Sequence, residues 1–311
     1  MSKIKILTAC LKNPKRLIRI IGNKGLLNWI PDKTYLKLVY WGELDKKLSF
    51  NNPIFFNEKI QWLKVYDKNP DYPKYVDKYM VRNYIAEKIG NKYLISMIAV
   101  YENVEEIEWE KLPNKFVLKC THGSHSNIIC TDKNQLDIEK SKKMLNKWML
   151  RSWYWFGREW PYKYVKPRIV CEEYLGEIAA LPKDYKIMCF DGIPSIIQVH
   201  TKKINESPTI DFYDMNGNLL DIRKKGFPNS SIEKINMSEF AEMIRLSEIL
   251  SVGIPYIRTD FYLINNKIYF GELTFYDSSG LIDFEPEESN KYLGNMIKLN
   301  KDGVNEYSNW R

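Results

Sequence analysis

FVLKCTHGSHSNIIC, Phe116 to Cys130, places two apolar runs on either side of a loop that holds Gly123, Ser124, Ser126 and two histidines, with Lys119 at its entrance. The chain has one further histidine, His200. The runs Phe116–Lys119 and Asn127–Cys130 read as strands of a hairpin, and the loop between them has three possible chemistries. A metal site would use His122 and His125, but on an extended loop they need not face each other, and beyond Asp132 no third ligand stands nearby. A nucleophile at Cys120 or Ser124 would need a base, an orienting acid and a fixed elbow such as Gly-x-Ser-x-Gly, which the sequence lacks. A phosphate site uses more of the residues. Gly123 lets the backbone approach an anion, successive amides and the Ser124 and Ser126 hydroxyls can donate, and Lys119 adds a point charge. The loop bridges two strands, whereas a Walker loop opens a helix. It therefore needs partners elsewhere in the chain.

Those partners lie near the C-terminus. Arg258-Thr259-Asp260 opens an expected strand, Tyr256–Ile264, and Glu272-Leu273-Thr274 closes the next, Lys267–Thr274, across an Asn265-Asn266 turn. Asp260 and Glu272 then stand side by side on one sheet face. Two opposed acids repel without a cation or a protonated partner; an ion is the more economical reading, and magnesium takes hard oxygen ligands while keeping several waters. Between loop and acids, Ile169 to Gly176 runs from an apolar strand into an extended linker. Its backbone can meet an adenine edge, with Tyr174 and Leu175 as apolar cover.

The remaining sequence sets the frame. A length of 311 residues with 44% hydrophobic content can bury a substantial core. No window approaches the roughly 18 uninterrupted apolar residues of a membrane helix, and the run Ile4 to Leu11 is broken by Lys5, so an export signal is not expected. Five cysteines, Cys10, Cys120, Cys130, Cys171 and Cys189, form no CxxC pair and read as reduced cytosolic thiols. The formal charge is +8, and residues 1–40 carry nine Lys or Arg against the single acid Asp32. Pro14 to Ile30 mixes Arg16 and Arg19 with Leu17, Ile18, Ile20, Ile21 and Trp29. That composition suits a helix on an anionic membrane surface or a helix packed on the body with a solvated basic face. The basic residues cluster at one end without a recognised nucleic-acid module, so nucleic acid is not an expected partner.

Punctuation and periodicity divide the chain into a basic, mostly helical lobe over residues 1–76, a lobe over 77–170 that carries the loop, and a lobe over 171–311 that carries the acids. A helix is expected from Asp77 to Gly90, then strands at Tyr93–Tyr101, Arg168–Tyr174, Tyr185–Phe190, Ser195–His200 and Thr209–Asp214. Helices are expected at Glu139–Trp153 and Ser238–Leu250. Asp191-Gly192 and Asn216-Gly217 mark further hairpin turns. This is an α+β design with mostly antiparallel sheets. The aromatic run Trp153, Tyr154, Trp155, Trp160, Tyr162, Tyr164 is suited either to stacking on sugar rings or to packing between lobes.

Asp77-Lys78, Lys119 with Thr121-His122-Gly123-Ser124, Glu172-Glu173-Tyr174-Leu175, and a late Asp followed by Glu-x-Thr together resemble the ATP-grasp superfamily. Phe56-Asn57-Glu58-Lys59-Ile60-Gln61-Trp62, Arg158-Glu159-Trp160-Pro161-Tyr162 and Phe270-Gly271-Glu272-Leu273-Thr274-Phe275-Tyr276 are similar to its TupA-like branch, found with teichuronopeptide and capsular polysaccharide synthesis. The resemblance spans about residues 35–300. It implies two α+β lobes that clamp ATP between antiparallel sheets, beside an N-terminal helical lobe. Lys78 and Lys119 would hold phosphates under a flap of Thr121, His122, Gly123, Ser124, His125 and Ser126. Glu172, Glu173, Tyr174 and Leu175 would meet adenine, with Glu177 at the ribose. Asp260 and Glu272 would bind Mg2+, with Thr274 where many relatives carry asparagine. Arg258 and Lys186 would neutralise the transferring phosphoryl group.

The activity so implied is a cytoplasmic, ATP-dependent carboxylate-amine ligase, peripheral at the inner membrane face, that joins an amino acid or amine to a saccharide carboxylate, lipid-linked or free. A glycosyltransferase or sugar kinase of the same polysaccharide system is the alternative. A scaffold that has lost chemistry would have no need for both lysines and both late acids.

Overall fold

A computed structural model of the chain describes residues 14–176, 184–201, 207–230 and 232–300. Cys10, Glu177 and the first 13 residues lie outside the described residues. The described N-terminal part is helical: α1 (Leu17–Asn23), α2 (Asp32–Leu44), α3 (Phe56–Tyr66), α4 (Tyr72–Val76) and α5 (Val81–Lys88). The strands β1 (Met97–Tyr101), β2 (Phe116–Cys120) and β3 (Asn127–Cys130) follow, then α6 (Ile138–Met149), α7 (Tyr154–Gly157) and β4 (Ile169–Glu173). The C-terminal part runs β5 (Asp184–Phe190), β6 (Ile193–Thr201), β7 (Thr209–Tyr213), β8 (Arg223–Lys224), α8 (Ala241–Ser251), β9 (Tyr256–Ile264), β10 (Lys267–Thr274), β11 (Phe284–Glu285) and α9 (Glu287–Met296).

Two antiparallel sheets carry the architecture, one ordered β1-β4-β2-β3 and the other β10-β9-β5-β6-β7. The quoted stretch is the β2–β3 hairpin, with Phe116 opposite Cys130 and Lys119 opposite Asn127. Asp191-Gly192 turns β5 into β6 and Asn265-Asn266 turns β9 into β10. All four residues have positive φ, between 52° and 79°, the left-handed conformation that Gly and Asn tolerate and that a twisted two-residue hairpin needs.

Alternation decides what each face presents. In β5 and β9, Ile187, Cys189, Ile257, Thr259 and Phe261 are completely buried, and they lie on the side covered by Met243, Leu246 and Leu250 of α8. Period two then sends Asp184, Lys186, Arg258 and Asp260 to the opposite face. Lys186 stands directly beside Asp260 in the register.

The hydrophobic residues form two cores. One belongs to the first sheet and runs from Val104 through Phe116, Leu118 and Leu145 to Cys171. The other joins the N-terminal helices (Tyr35, Phe56, Ile60) to the second sheet and the C-terminal helix (Phe212, Leu246, Leu293). Polar seams bind the same parts: Asn57 Nδ2 donates to the Ile282 carbonyl at 3.1 Å, and Lys64 Nζ to the Ser279 carbonyl at 2.7 Å.

Several elements are shorter than expected from sequence: the helix expected over Glu139–Trp153 ends at Met149, the one expected from Ser238 starts at Ala241, and two further differences have a visible cause. The helix expected over Asp77–Gly90 occupies only Val81–Lys88, because Asp77 Oδ1 accepts the Tyr79 and Met80 amides while the Lys78 amide goes to the Thr121 carbonyl. The strand expected from Tyr93 starts at Met97, because Gly90 to Tyr93 first closes a 3-10 turn.

The aromatic run between α6 and β4 is used largely for packing. Trp153 stacks on Phe156 at 4.9 Å between centroids, and a Cβ at Gly123 would lie 3.1 Å from its ring. The Tyr154 hydroxyl donates to Asp32 at 2.7 Å. Trp155 covers the guanidinium of Arg158, which is 1% exposed and donates to the Leu27 and Ile30 carbonyls. Stacked rings and hydrogen-bonded edges of this kind offer sugars little free face; Tyr164, 64% exposed, is the exception.

Candidate functional site

A cavity of about 440 Å³ opens between the two sheets, lined on one side by Val117, Lys119 and Asn127 of the hairpin and on the other by Asp184, His200 and Tyr262. Glu172 to Gly176 form its wall. A smaller space of about 80 Å³ adjoins it, and Lys119 and Glu172 border both. Lys78, Arg82, Tyr162 and Glu272 line this second space. The early lysines and the late Glu272 thus meet around one cleft.

On β2, Phe116, Leu118 and Cys120 point into the core, so Val117 and Lys119 face the cavity. Lys119 Nζ lies 2.6 Å from Glu172 Oε2, and Arg82 Nη1 reaches Glu172 Oε1 at 3.3 Å. Arg82 escaped the sequence reading. Its spacing of four from Lys78 was the available signal. Glu172 therefore neutralises cations at the cleft, while Glu173, Tyr174 and Leu175 line the larger cavity. Glu177 falls outside the described residues.

Lys78 Nζ donates to the Gly123 carbonyl at 2.8 Å, tying the lysine to the loop. Burial pulls its ammonium below the ordinary lysine range, opposed chiefly by Glu272. Thr121 anchors the base of the loop: its hydroxyl donates to the Lys166 carbonyl and accepts the Arg168 amide. The Ser126 carbonyl takes the Cys120 amide at 3.1 Å. His122 is buried against α6, with Nε2 3.1 Å from the Trp148 carbonyl, and it lines a small pocket behind the loop, not the main cleft. His125, at the loop tip, has φ 58° and faces Trp153. Burial pushes the Cys120 thiol up to about 11, which suits a packed side chain and not a nucleophile.

On the second sheet Glu272 stands opposite Asp260, across a bulge at Gly271. Their repulsion, which the sequence reading relieved with a metal ion, is already countered by the chain's own cations. Arg258 donates from Nε and Nη2 to the two Asp260 oxygens, at 2.7 Å each, and its Nη2 lies 3.7 Å from Glu272. Lys186 binds Asp260 from the neighbouring strand and Asp184 at 2.7 Å. Burial raises the Asp260 carboxyl, but Arg258 and Lys186 outweigh it and hold the group below the ordinary carboxylate range. The Thr274 hydroxyl accepts from Arg258 Nη2 and donates to Glu272 Oε1, both at 3.2 Å.

The network extends to residues the sequence reading passed over. Arg258 Nη1 donates to Asp277 Oδ1 at 2.6 Å, and Lys224 Nζ grips both Asp277 oxygens at 3.0 and 2.9 Å. Against a large burial effect, Lys224 and Arg258 hold Asp277 far below the usual range. Burial, aided by Lys186, Arg258 and Lys224, depresses His200 to about 3, leaving a neutral imidazole at the cavity wall.

Among the described residues no group of three or more His, Cys, Asp or Glu gathers as a metal cage. Of the two acids Glu272 lines the cleft and suits an ion that keeps most of its waters, whereas Asp260 is 2% exposed and lines neither space. Asp260 Oδ1 carries one hydrogen bond against two on Oδ2, and Glu272 is 41% exposed at the cleft.

Two α+β lobes with antiparallel sheets facing across a cleft, cations from the first and acids from the second, define the ATP-grasp class. The family described as TupA-like ATPgrasp matches residues 58–298, and the chain belongs to it. Similar solved structures are distant. A D-alanine–D-alanine ligase from Bacillus anthracis complexed with ATP has 14% identity and a TM-score of 0.38, over 65% of this chain and 54% of its own. The ATP-grasp ligase PsnB with minimal precursor, Mg and ADP has 11% identity and a TM-score of 0.38, over 70% and 57%. An N5-carboxyaminoimidazole synthase from Aspergillus clavatus, in complex with ADP and its ribonucleotide, has 10% identity and a TM-score of 0.36, over 65% and 44%. The chain thus spans little more than half the length of the first of these. No curated protein matches the sequence significantly.

Proposed function

We propose that this protein is an ATP-dependent carboxylate-amine ligase that attaches an amino acid or amine to a uronic-acid-containing saccharide, in the synthesis of a capsule or other cell-surface polysaccharide. The observation that carries this reading is the meeting of Lys78, Lys119 and Glu272, far apart in sequence, around one cleft beside the larger cavity. A volume of about 440 Å³ suits a nucleoside, and Glu173, Tyr174 and Leu175 supply the extended wall that adenine would meet. Lys119 and Lys78 would then exchange their present acceptors, Glu172 and the Gly123 carbonyl, for phosphate oxygens beneath the loop Thr121 to Ser126. Asp260 and Glu272, with the Thr274 hydroxyl, would hold magnesium, which supplies charge neutralisation at the phosphates.

The chemistry follows from the poor reactivity of a carboxylate toward amines. A substrate carboxylate oxygen attacks the γ-phosphorus, the bond to the β-phosphate oxygen breaks, and ADP leaves. The amine nitrogen then attacks the acyl carbon of the resulting acyl phosphate, loses a proton, and expels inorganic phosphate to leave an amide. Arg258 and Lys186, fixed by Asp277, Asp260 and Asp184, would face the charge on the transferred group. The enzyme would work in the cytoplasm, peripheral to the inner membrane face, where a lipid-linked saccharide is within reach.

Purified protein with ATP, magnesium and a panel of uronic acids and amino acids tests the reading, followed by ADP release and product mass. ADP formation that requires both partners, with an amide of the summed mass less water, is the expected result. ADP formed without any amine, leaving a phosphorylated sugar, would make the protein a sugar kinase instead. Consumption of a nucleotide-sugar would make it a glycosyltransferase.

A further inference from the structure

We infer that α1 and the turn after it form a docking face for an anionic lipid bilayer. The inference deepens the peripheral location proposed above, and its test is independent of the ligase chemistry.

The segment from Leu17 to Ile30 is packed on the body and yet keeps apolar side chains in water. Ile18, Leu27 and Ile30 pack against the main core. Gly22 is buried so closely under Tyr35 that a Cβ there would clash with the tyrosine ring and its oxygen. With that side pinned, the outer side carries Leu17 (44% exposed), Ile21 (37%), Leu26 (64%) and Trp29 (80%). Leu17 and Ile21 are four apart and share one face of α1.

Charge identifies the occupant. Between residues 14 and 41 stand Lys15, Arg16, Arg19, Lys24, Lys33 and Lys37 against one acid, Asp32; Lys15 pairs with Asp45 and Arg19 lies 3.5 Å from Glu43, which leaves a net basic segment. Asp32 is itself held by the Tyr154 hydroxyl and lies 3.5 Å from Arg158. Lys24, directly after α1, is exposed among the apolar side chains, and residues 1–13 add Lys3, Lys5 and Lys12 in sequence. Aliphatic side chains and a tryptophan in the same short segment as the exposed Lys24 match the depth profile of an anionic membrane, with hydrocarbon below, the interface at the indole and phosphates at the ammonium group. A stable protein interface draws roughly 20–30 residues from each side, far more than this wedge offers.

The test is co-sedimentation of the full chain with phosphatidylcholine vesicles, with and without phosphatidylglycerol. Binding to the anionic vesicles alone, falling steeply with salt, is expected. Leu26→Ala with Trp29→Ala, both at exposed positions, should weaken it at least about tenfold. Lys24→Glu should weaken it while leaving the apolar wedge intact. Equal binding to both vesicle types, or binding that both variants leave unchanged, overturns the inference. So does the absence of vesicle binding, whether the face then proves to hold a second copy, seen as a dimer that the double variant dissociates, or residues 1–13, seen as binding gained when they are removed.

Discussion

Lys119 reaches diagonally across adjacent antiparallel strands to Glu172, the register partner of Val117, with Nζ 2.6 Å from Oε2, so the cation at the mouth of the loop is held by an acid at the start of the linker. In this arrangement the lysine is already extended toward the cleft and partly relieved of its charge. A phosphate would compete with Glu172 for it. Lys119→Ala should lower affinity for a non-hydrolysable ATP analogue by about tenfold to a hundredfold, the range expected when a charged hydrogen bond is lost. Calorimetric titration measures it, and an unchanged dissociation constant would remove Lys119 from the nucleotide site.

The two acids opposite each other differ in what surrounds them, and substitutions should separate their roles. Glu272 is 41% exposed, so Glu272→Gln should change unfolding free energy by no more than about 0.5 kcal/mol. It should still raise the magnesium concentration needed for nucleotide binding. Asp260 is buried between Arg258 and Lys186, so Asp260→Asn should cost about 3–5 kcal/mol by leaving two buried cations short of a counter-charge. An undiminished magnesium requirement curve in Glu272→Gln would exclude that carboxylate as a ligand.

Asp277 holds Arg258 on one side and Lys224 on the other, all three buried. Asp277→Asn should therefore destabilise by about 3–5 kcal/mol in urea unfolding. Removing the lysine's charge as well, in Asp277→Asn with Lys224→Met, should recover more than about 1 kcal/mol of that loss, the signature of a coupled pair. Strict additivity of the two single substitutions would show that the ion pair is not the source of the effect.

His200 gives the fold a pH dependence of definite sign. In the folded protein burial and the neighbouring cations depress it to about 3, against an ordinary 6.5 in the unfolded chain. Between these values the unfolded chain holds a proton that the folded chain does not, so stability falls as pH drops below 6.5, by up to about 1.4 kcal/mol per unit. His200→Gln should flatten the decline of melting temperature between pH 6.5 and 5. Parallel curves for variant and parent would assign the acid sensitivity elsewhere.

Local alternation and turn chemistry were legible in the amino-acid sequence. The boundaries of β9 and β10 agree with the pattern from Tyr256 to Thr274, and the Asn265-Asn266 turn sets a register that puts Asp260 beside Glu272. The hairpin around Gly123 was readable for the same reason, since strand period and turn preference act over a few residues. The family likewise followed from short ordered motifs.

Which charge cancels which was decided only by the tertiary structure. Lys119 finds Glu172, and Lys224 finds Asp277, each 53 residues away, because sheet pairing and chain packing bring them together. The same holds for Arg158, read from its motif as part of a family signature and found buried under the N-terminal helices. Hydrophobic period identifies a face without naming what covers it, and the energy of a buried ion depends on that cover.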